Sequence, residues 1–171
     1  NLDNFETSNI NFDFYKVTND TFLKVFDTVL NEESTSLKPS DPDNLSSNFD
    51  ITLNHDKFNL STGFSVNENY NKKNNDRYQY VLPYYTFDKK LFSNSDLGSF
   101  SLNSNGNNVL DNTNQLKSQV NNNLSYSSYD YISKKGIKNN FNIKLKNLNT
   151  IGKNISEYKS SPQIELLSIF E

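Results

Sequence analysis

Few residues of this sequence have the types and spacing that chemistry requires. His55 is the only histidine, and it lies beside Asp56 in a short polar stretch between two alternating runs. A metal site or a general base would need partners at suitable spacing, so a solvated turn residue is the favoured interpretation of His55. The acidic pairs Glu32-Glu33 and Asp41/Asp43 could bind Ca²⁺ weakly, but they form no twelve-residue calcium loop and are interpreted as solvated loop charge.

The sequence also contains no Ser-His-Asp set, no Gly-rich phosphate loop and no zinc-ligand spacing. We therefore predict no catalytic, cofactor-binding or metal-binding residue, and we do not expect an enzyme. Five triplets match the glycosylation acceptor pattern, but asparagine is roughly a fifth of the chain, so chance explains them. These triplets begin at Asn19, Asn44, Asn59, Asn123 and Asn154.

Tyrosines are a second group that could bind something. They could form a girdle at a membrane–water interface, where a phenol suits the headgroup region, or they could simply pack within strands. Both readings stay open from the sequence. The residues concerned are Tyr78, Tyr80, Tyr84, Tyr85, Tyr126, Tyr129 and Tyr131.

Composition narrows the class of protein. The 171 residues correspond to one domain or less, and a net charge of −3 shows no electrostatic footprint for nucleic acid. Cysteine is absent, which removes disulfide scaffolds and thiolate zinc sites. Alanine and methionine are also absent; the first fits an AT-rich genome, and the second predicts a processed chain or an excised piece of a longer one. No signal peptide is visible, which excludes nothing about export.

Apolar and polar residues alternate along most of the length, which is typical of strands with one apolar face. The 13 phenylalanines and 10 tyrosines argue against a disordered asparagine-rich tract. About eight strands of roughly ten residues result, long enough for tilted strands to cross a bilayer. The runs are INFDFYKV, NFDITLN, FNLSTGFSVN, RYQYVLPYYTF, GSFSLNSN, NNNLSYSSYDYI, KNNFNIKLKN and QIELLSIFE.

Two runs are irregular, and one segment has a different period. Arg77–Phe87 is β-prone on both parities, so its register is ambiguous, and Pro83 is hard to place in a central ladder. In the sixth run the apolar parity changes, which predicts a bulge near Ser127-Ser128. Phe22, Val25, Phe26, Val29 and Leu30 have helical spacing and predict a short helix within the first long loop.

The predicted connections alternate between short and long. The turns around Asn54–Lys57 and Ser133–Gly136 are tight, and Asp88–Leu97 is of moderate length. Outer-membrane barrels sort their loops in this way, with short turns at one end and long loops at the other. The predicted long connections are Thr18–Leu45, Glu68–Asp76, Ser104–Gln115 and Asn149–Ser161.

The order of these runs resembles the LptD family of lipopolysaccharide-assembly proteins. The segment INFDFYKVTNDTFLKVFD resembles a strand that enters a Val-Ser-Asp-Pro-type turn and a Tyr/Phe-x-x-x-Phe-Asp motif, although Asp20 stands where that family has proline. The hairpin NHDKFNLS, the proline-containing RYQYVLPYYTF and LGSFSLNS follow in the family's order. DYISKKGIKNNFNIKLKNLN and YKSSPQIELLSIFE also resemble its mid-barrel. The positions that match the first motif are Val17, Thr18, Asn19, Asp20, Phe22, Phe26 and Asp27.

This resemblance implies that residues 1–171 are the central part of a larger outer-membrane barrel of a Gram-negative bacterium. The full protein would move lipopolysaccharide to the outer leaflet without covalent chemistry. It would have an LptE-like lipoprotein plug and an LptA-like periplasmic bridge as partners, and it would need no cofactor. The fold class we predict is all-β: an antiparallel up-and-down transmembrane β-barrel segment whose apolar parity faces lipid and whose polar parity lines a wet lumen.

Two alternatives remain open from the sequence. A soluble all-β adhesion or carbohydrate-binding domain would cover its apolar parity with a second sheet and bind sugar through its tyrosines. An independent eight-stranded barrel is disfavoured, because neither end shows start or closing signals.

Overall fold

The structure is a computed structural model that describes residues 4–19, 21, 43–94, 96–111, 115–152 and 155–170. Within these ranges the chain is all-β apart from one 3₁₀ turn, Asn74–Arg77. Nine strands form: β1 Thr7–Asp13, β2 Asn44–His55, β3 Phe58–Asn69, β4 Tyr78–Asn94, β5 Gly98–Asp111, β6 Gln115–Ser127, β7 Tyr131–Ile132, β8 Lys138–Gly152 and β9 Ile155–Phe170. The predicted helix at Phe22–Leu30 falls outside the described residues.

All nine strands belong to one antiparallel up-and-down sheet. Strands β1 to β6 lie side by side in chain order, each paired with its neighbour in the sequence. Strand β6 then pairs with one side of β8, and β9 pairs with the other side of β8. The two-residue β7 also pairs with β8, beyond the end of β6. The sheet is open, with β1 and β9 at its edges, so the all-β, up-and-down part of the prediction is confirmed, whereas closure into a barrel is not observed.

Apolar residues of separate alternating runs lie on the same face of the sheet. Directly opposed residues of an antiparallel pair point to the same side, and the register opposes Phe12, Phe49 and Phe64 in sequence across β1 to β3. At the other end of the sheet the register opposes Leu102, Leu124, Leu145 and Ile164. We call this side the apolar face and the opposite side the polar face.

The chain contains almost no dry core. Among the described residues, only Leu45 and Tyr70 are buried hydrophobic side chains, with Tyr15 and Val17 packed against them. This small cluster lies where the segment after β1 folds back over the start of β2. No second layer of the described residues covers either face, so the face-to-face sheets of the adhesin alternative are not found. None of the helical structure within the described ranges is long and apolar enough to span a membrane.

The predicted sorting of loop lengths is wrong. Strands β5 and β6 run through the predicted loop Ser104–Gln115, which leaves residues 112–114 between them, and β8 and β9 similarly leave only 153–154 of Asn149–Ser161. Asp88–Leu97 shrinks to residues 95–97 in the same way. The polar side chains of these stretches led to the prediction of loops. Their backbones nevertheless pair with the neighbouring strand, because that strand continues alongside them. Of the predicted long connections, 70–77 remains, and most of the segment between β1 and β2 lies outside the described residues; the connection 128–137, which contains the two-residue β7, is long although its turn was predicted to be tight.

The two irregular runs are explained by bulges. Ser127 opposes Asn142, and Tyr131 opposes Asn139. The chain thus advances by four residues on the β6–β7 side and by three on the β8 side, so one residue is extra. This confirms the predicted interruption near Ser127-Ser128. In β4, the pairings of Val81 and Tyr84 with both neighbouring strands also show one extra residue. Pro83, which follows a cis peptide bond, lies in this bulge, where a missing backbone donor is tolerated.

Two consecutive tyrosines follow the bulge in β4 and point to opposite faces, as neighbouring residues of a strand do, each over a glycine of a neighbouring strand. Tyr84 opposes Gly63 of β3, and a Cβ at that glycine would lie 2.7 Å from the Tyr84 hydroxyl. Tyr85 opposes Gly106 of β5, and a Cβ there would lie 2.7 Å from its ring and 2.9 Å from the carbonyl oxygen of Gln119. Aromatic rings that cover glycines of adjacent strands help to set register.

We predict that Gly63→Ala and Gly106→Ala each lower the free energy of unfolding by about 1–3 kcal/mol, because the added methyl meets fixed atoms. Ser65→Ala, two residues from Gly63 on the same face, is the control and should change it by less than about 0.5 kcal/mol. Urea unfolding of the refolded protein measures the difference. Equal effects of all three changes would contradict the steric role of the two glycines.

Candidate functional site

The largest feature that demands a partner is the apolar face itself. Many of its phenylalanine, isoleucine and leucine side chains are exposed, with values that reach 70% for Phe12, 72% for Ile164 and 71% for Leu166, and the others are half-buried. Monomeric soluble proteins rarely expose contiguous apolar surface of this extent, and where they do it marks contact with a protein, a ligand or a membrane. The face is therefore the candidate functional surface of this chain.

The polar face carries ladders of amides and charges behind the apolar residues. Asn103 donates to the Asp88 carboxylate at 2.6 Å and accepts a hydrogen bond from the Asn123 amide at 3.3 Å. Farther along the sheet, the Glu165 carboxylate lies between Lys146 at 2.9 Å and Lys144 at 3.7 Å. A surface of this composition suits water, so the two faces suit different environments.

The apolar side chains of the apolar face form a band that crosses the sheet obliquely. One row of directly opposed residues runs from β1 to β9 and begins apolar and ends polar: Ile10, Ile51, Thr62, Tyr85, Gly106, Val120, Asn149 and Ser160. A second row begins polar in β2 and ends apolar: His55, Phe58, Lys89, Leu102, Leu124, Leu145 and Ile164. We call this oblique band the belt.

The slope of the belt follows from the register. The row that contains Ile164 reaches β2 at His55, which is six residues beyond Phe49, the residue opposite Phe12 of β1. On β9, Leu166 lies two further residues beyond Ile164 in the same direction. The belt therefore moves by about eight residues over seven strand-to-strand steps. Residues rise by ~3.4 Å along a strand, and neighbouring strands lie ~4.8 Å apart. The belt is therefore tilted by about 40° from the line perpendicular to the strands.

Beyond the belt, the strands of one half of the sheet carry many polar residues on both faces. On the apolar face of β5 to β9, Ser104 donates to Asn122 at 2.7 Å, and Ser160 donates to Asn147 at 2.9 Å. Tyr158 likewise donates to Asn149. We call this part, residues 104–111, 115–122, 147–152 and 155–162, the polar extension.

A charged cluster closes the same end of the sheet on the β2–β4 side. Glu68 of β3 accepts hydrogen bonds from the hydroxyls of Tyr78 at 2.8 Å and Tyr70 at 3.1 Å. Its carboxylate also lies 2.7 Å from Nε of Arg77, whose guanidinium sits 4.3 Å from the centre of the Tyr70 ring. Burial, and then the charge of Glu68, raise the pKa of Tyr70 above its ordinary value. The cluster fixes the loop 70–77 onto the sheet.

The residues singled out in the sequence are not brought together. His55 lies in the β2–β3 turn, where its Nδ1 accepts a hydrogen bond from the Lys57 amide at 3.1 Å and its ring stacks on Phe58. It is therefore a packed turn residue. Glu32, Glu33 and Asp41 fall outside the described residues, and within the described part no group of three His, Cys, Asp or Glu could hold a metal ion.

The acceptor asparagines and the tyrosines have separate places in the sheet. Asn44, Asn59 and Asn123 lie within strands β2, β3 and β6, Asn19 lies before the undescribed segment, and Asn154 is outside the described residues. Tyr78 and Tyr80 lie at one end of the sheet, Tyr126, Tyr129 and Tyr131 at the other, and Tyr84 and Tyr85 between them. The distribution places tyrosines near both ends, with two exceptions in β4.

Sequence reasoning missed the Glu68 cluster and the Lys144–Glu165–Lys146 group. Nothing in the spacing of Glu68 and Arg77 indicates that they meet, because the loop 70–77 returns the chain beside β3. One signal was available: Arg77 is the only arginine in a lysine-rich chain.

Comparisons with known proteins return nothing for this chain: no protein-family model, no curated protein and no solved structure matches it.

We predict that Glu68→Leu lowers the free energy of unfolding by about 2–3 kcal/mol, since it leaves the mostly buried Arg77 guanidinium without its carboxylate. The double variant Glu68→Leu/Arg77→Leu should recover part of this loss, because removing both charges leaves neither uncompensated. Denaturant unfolding of the four proteins of the cycle measures the coupling. A double variant as unstable as the sum of the two single changes would contradict the pairing.

Proposed function

We propose that this chain forms part of the wall of an outer-membrane β-barrel of the lipopolysaccharide-assembly kind. Its apolar face contacts lipid, its polar face lines a wet lumen, and its role is non-catalytic transport of lipopolysaccharide to the outer leaflet. The observation that carries the membrane part is the exposed apolar face of a single-layer sheet.

Energetics favours hydrocarbon over water as the neighbour of that face. Each exposed leucine, isoleucine or phenylalanine gains about 1.5–3 kcal/mol when it is removed from water, and the belt extends to both edge strands. The paired backbone of a sheet also suits a bilayer, where only structures that satisfy their own hydrogen bonds can span. The row that contains Leu102 includes one lysine, Lys89. Lys89 lies near the end of that row that begins at His55, where its long side chain can reach water.

The slope of the belt supports the same assignment. Strands of outer-membrane barrels tilt by ~35–45° from the membrane normal, so a horizontal hydrocarbon layer crosses their register obliquely. The belt's slope of about 40° falls within that range. A second protein sheet packed on this face would meet strands within ~30° of its own direction and would require no such systematic drift.

The polar extension agrees with a membrane-spanning sheet. Outside the belt, the strands of β5 to β9 continue with many serine and asparagine residues on both faces, although Leu110, Leu116, Val120 and Ile151 also lie on the apolar face there. The stretches that the sequence assigned to long loops thus correspond to strands that project beyond the bilayer at one end.

The lipopolysaccharide part of the proposal rests on the resemblance in strand order described above. An LptE-like plug would contact the polar face, and an LptA-like bridge would act through other parts of the full-length protein. A soluble adhesion or carbohydrate-binding domain is the rival, and it requires a layer over the apolar face that the described residues do not supply.

The chain lacks tryptophan, so single introduced tryptophans can report lipid contact. In liposomes whose acyl chains carry bromine, we predict strong fluorescence quenching for Ile10→Trp and Ile164→Trp, which lie on the belt. The matched control Gln163→Trp, next to Ile164 on the polar face, should be quenched weakly. Ser160→Trp, which shares a row with Ile10 but lies in the polar extension, should also be quenched weakly.

Each outcome has a distinct meaning. Equal quenching of Ile164→Trp and Gln163→Trp would contradict a lipid-facing apolar side, and equal quenching of Ile10→Trp and Ser160→Trp would contradict the oblique belt. A monodisperse protein that stays soluble without detergent would favour the adhesin.

In the full-length protein, we predict that Ile143→Lys blocks assembly, because a lysine on the lipid side near the midplane costs about 2–4 kcal/mol. Asn142→Lys, the same change on the polar face, and Lys144→Ile should both assemble. Heat-modifiability in outer-membrane fractions measures assembly, and the lipopolysaccharide content of the outer leaflet measures transport. Unchanged lipopolysaccharide after depletion of the protein would refute the transport role, and equal assembly of the three variants would refute the assignment of the faces.

A further inference from the structure

An open groove lies on the apolar face beside the Glu68 cluster, where the segment after β1 folds over the start of β2. Its volume is about 330 Å³, within the range of small-molecule and cofactor sites. Two pairs of stacked rings line it: Phe12 and Phe14, with ring centres 6.4 Å apart, and Phe49 and Phe64, with ring centres 6.1 Å apart. The groove is thus a ligand-sized surface with a largely aromatic lining.

One side of the groove is fixed by the fold. The Ser47 hydroxyl accepts a hydrogen bond from the Tyr15 amide at 3.1 Å and donates to the Tyr15 carbonyl at 3.2 Å. Tyr15 and Val17 also pack against Leu45 and Tyr70. These contacts hold the segment after β1 over the start of β2, so the groove is a built feature of the sheet and not a gap between loose side chains.

The groove has the length of an acyl chain in a bilayer. It begins at the opposed pair Phe49 and Phe64 and reaches the opposed pair Leu45 and Glu68, four residues farther along both strands. At ~3.4 Å per residue this distance is ~14 Å. The hydrocarbon core of a bilayer is ~30 Å thick, so the acyl chains of one leaflet span ~15 Å.

The two ends of the groove differ in polarity. The phenylalanine end continues the belt, whereas Glu68 and Tyr78 border the other end, where the Tyr78 hydroxyl donates to the Glu68 carboxylate at 2.8 Å. Phenols favour the headgroup region of a membrane. An amphiphile in this groove would therefore lie with its chain toward the belt and its headgroup toward the loop 70–77.

An exposed cation lies at the polar end. Lys16 borders the groove and directly follows Tyr15, whose backbone is bonded to Ser47. From Phe12 at the belt, the segment runs toward the end of the sheet, so Lys16 comes after the aromatic residues in that direction. Its ammonium group is thus available to a headgroup and not to the chain of the same molecule.

The two carboxylates near the groove leave the charge of Lys16 in place. Glu68 is neutralised by Arg77, whose Nε lies 2.7 Å from the carboxylate. Asp13 opposes Asn48, so its carboxylate points to the polar face. Among the described residues that border the groove, Lys16 therefore supplies the net charge, and that charge is complementary to an anionic headgroup.

We propose that this groove is a selective site for one anionic phospholipid of the bilayer. One acyl chain lies against Phe12, Phe14, Phe49 and Phe64, and the phosphate lies beside Lys16. This proposal rests on the proposed function, because a lipid-facing sheet meets such molecules from the bilayer. It also goes beyond that function, since hydrocarbon around the belt covers apolar side chains without regard to headgroup, whereas this groove discriminates between headgroups.

The absence of tryptophan again permits a single reporter. Phe14→Trp replaces one exposed ring of the groove by another. The protein is inserted into vesicles of equal parts phosphatidylglycerol and phosphatidylcholine, with bromine on the acyl chains of one lipid or the other. We expect brominated phosphatidylglycerol to quench Phe14→Trp about twofold to fivefold more than brominated phosphatidylcholine, since one lysine attracts an anionic lipid by about that factor. Ile164→Trp, on the belt at the opposite edge of the sheet, should be quenched equally by both.

Charge variants identify the source of this preference. In the Phe14→Trp background, Lys16→Gln should bring the two quenching values close to each other, and Lys16→Glu should reverse their order. Lys72→Gln is the matched control, because Lys72 lies in the loop at the same end of the sheet but does not border the groove. It should leave the preference unchanged. Each change is repeated with Ile164→Trp to verify insertion.

Three results would overturn the proposal. The first is equal quenching of Phe14→Trp by the two lipids. The second is a preference that Lys16→Gln and Lys72→Gln reduce by the same amount, which would indicate the general field of the protein. The third is weak quenching of Phe14→Trp by both lipids, which would mean that protein and not lipid covers the groove.

The belt reporters separate this proposal from the proposed function. Strong quenching of Ile164→Trp with no lipid preference at Phe14→Trp refutes the groove site alone. Equal quenching of Ile164→Trp and Gln163→Trp refutes the proposed function, and the reason for a phospholipid in the groove disappears with it.

Discussion

Backbone pairing between neighbouring strands holds this molecule together, because burial of side chains contributes so little to it. Among the described residues only Leu45 and Tyr70 are buried hydrophobic side chains, whereas the large residues of the apolar face are exposed or half-buried. In water a hydrogen bond adds only about 0.5–1.5 kcal/mol net, since the unpaired groups bond to solvent instead. In a medium without water the same bonds are electrostatically stronger and leaving them unmade is costly. A single-layer sheet with one apolar face is thus a structure whose stability depends on its solvent.

The same constraint accounts for the placement of polar groups. Asparagines are abundant, and some of them form hydrogen bonds between strands, as in the Asp88–Asn103–Asn123 ladder. On the apolar face most of them lie in the polar extension, although Asn94 and Asn139 lie on the same face outside it. Strand β4 also fills the spaces over two glycines, because Tyr84 and Tyr85 point to opposite faces as consecutive strand residues and each lies over a glycine of a neighbouring strand.

The sequence predicted strands well and connections poorly, for one physical reason. Alternation between apolar and polar side chains is a local property of a strand with two different faces, so the runs around Phe49, Phe64 and Ile143 were recognisable. The strands of the polar extension have the same polarity on both faces and therefore show no alternation. Stretches such as Ser104–Asp111 were consequently read as loops, although backbone pairing, which carries no side-chain signature, keeps them in the sheet.

What the sequence by itself determined is the class of structure: antiparallel strands whose apolar and polar residues alternate, with an interruption near Ser127-Ser128. What only the tertiary structure decided is how those parities combine. Register is a long-range property, and it alone places apolar residues from separate runs side by side on one face, in an oblique band across the sheet. The meeting of Glu68 with Arg77, Tyr70 and Tyr78 was decided in the same way, because a carboxylate's neighbours across strands depend on which residues the ladder opposes and not on their distance along the chain.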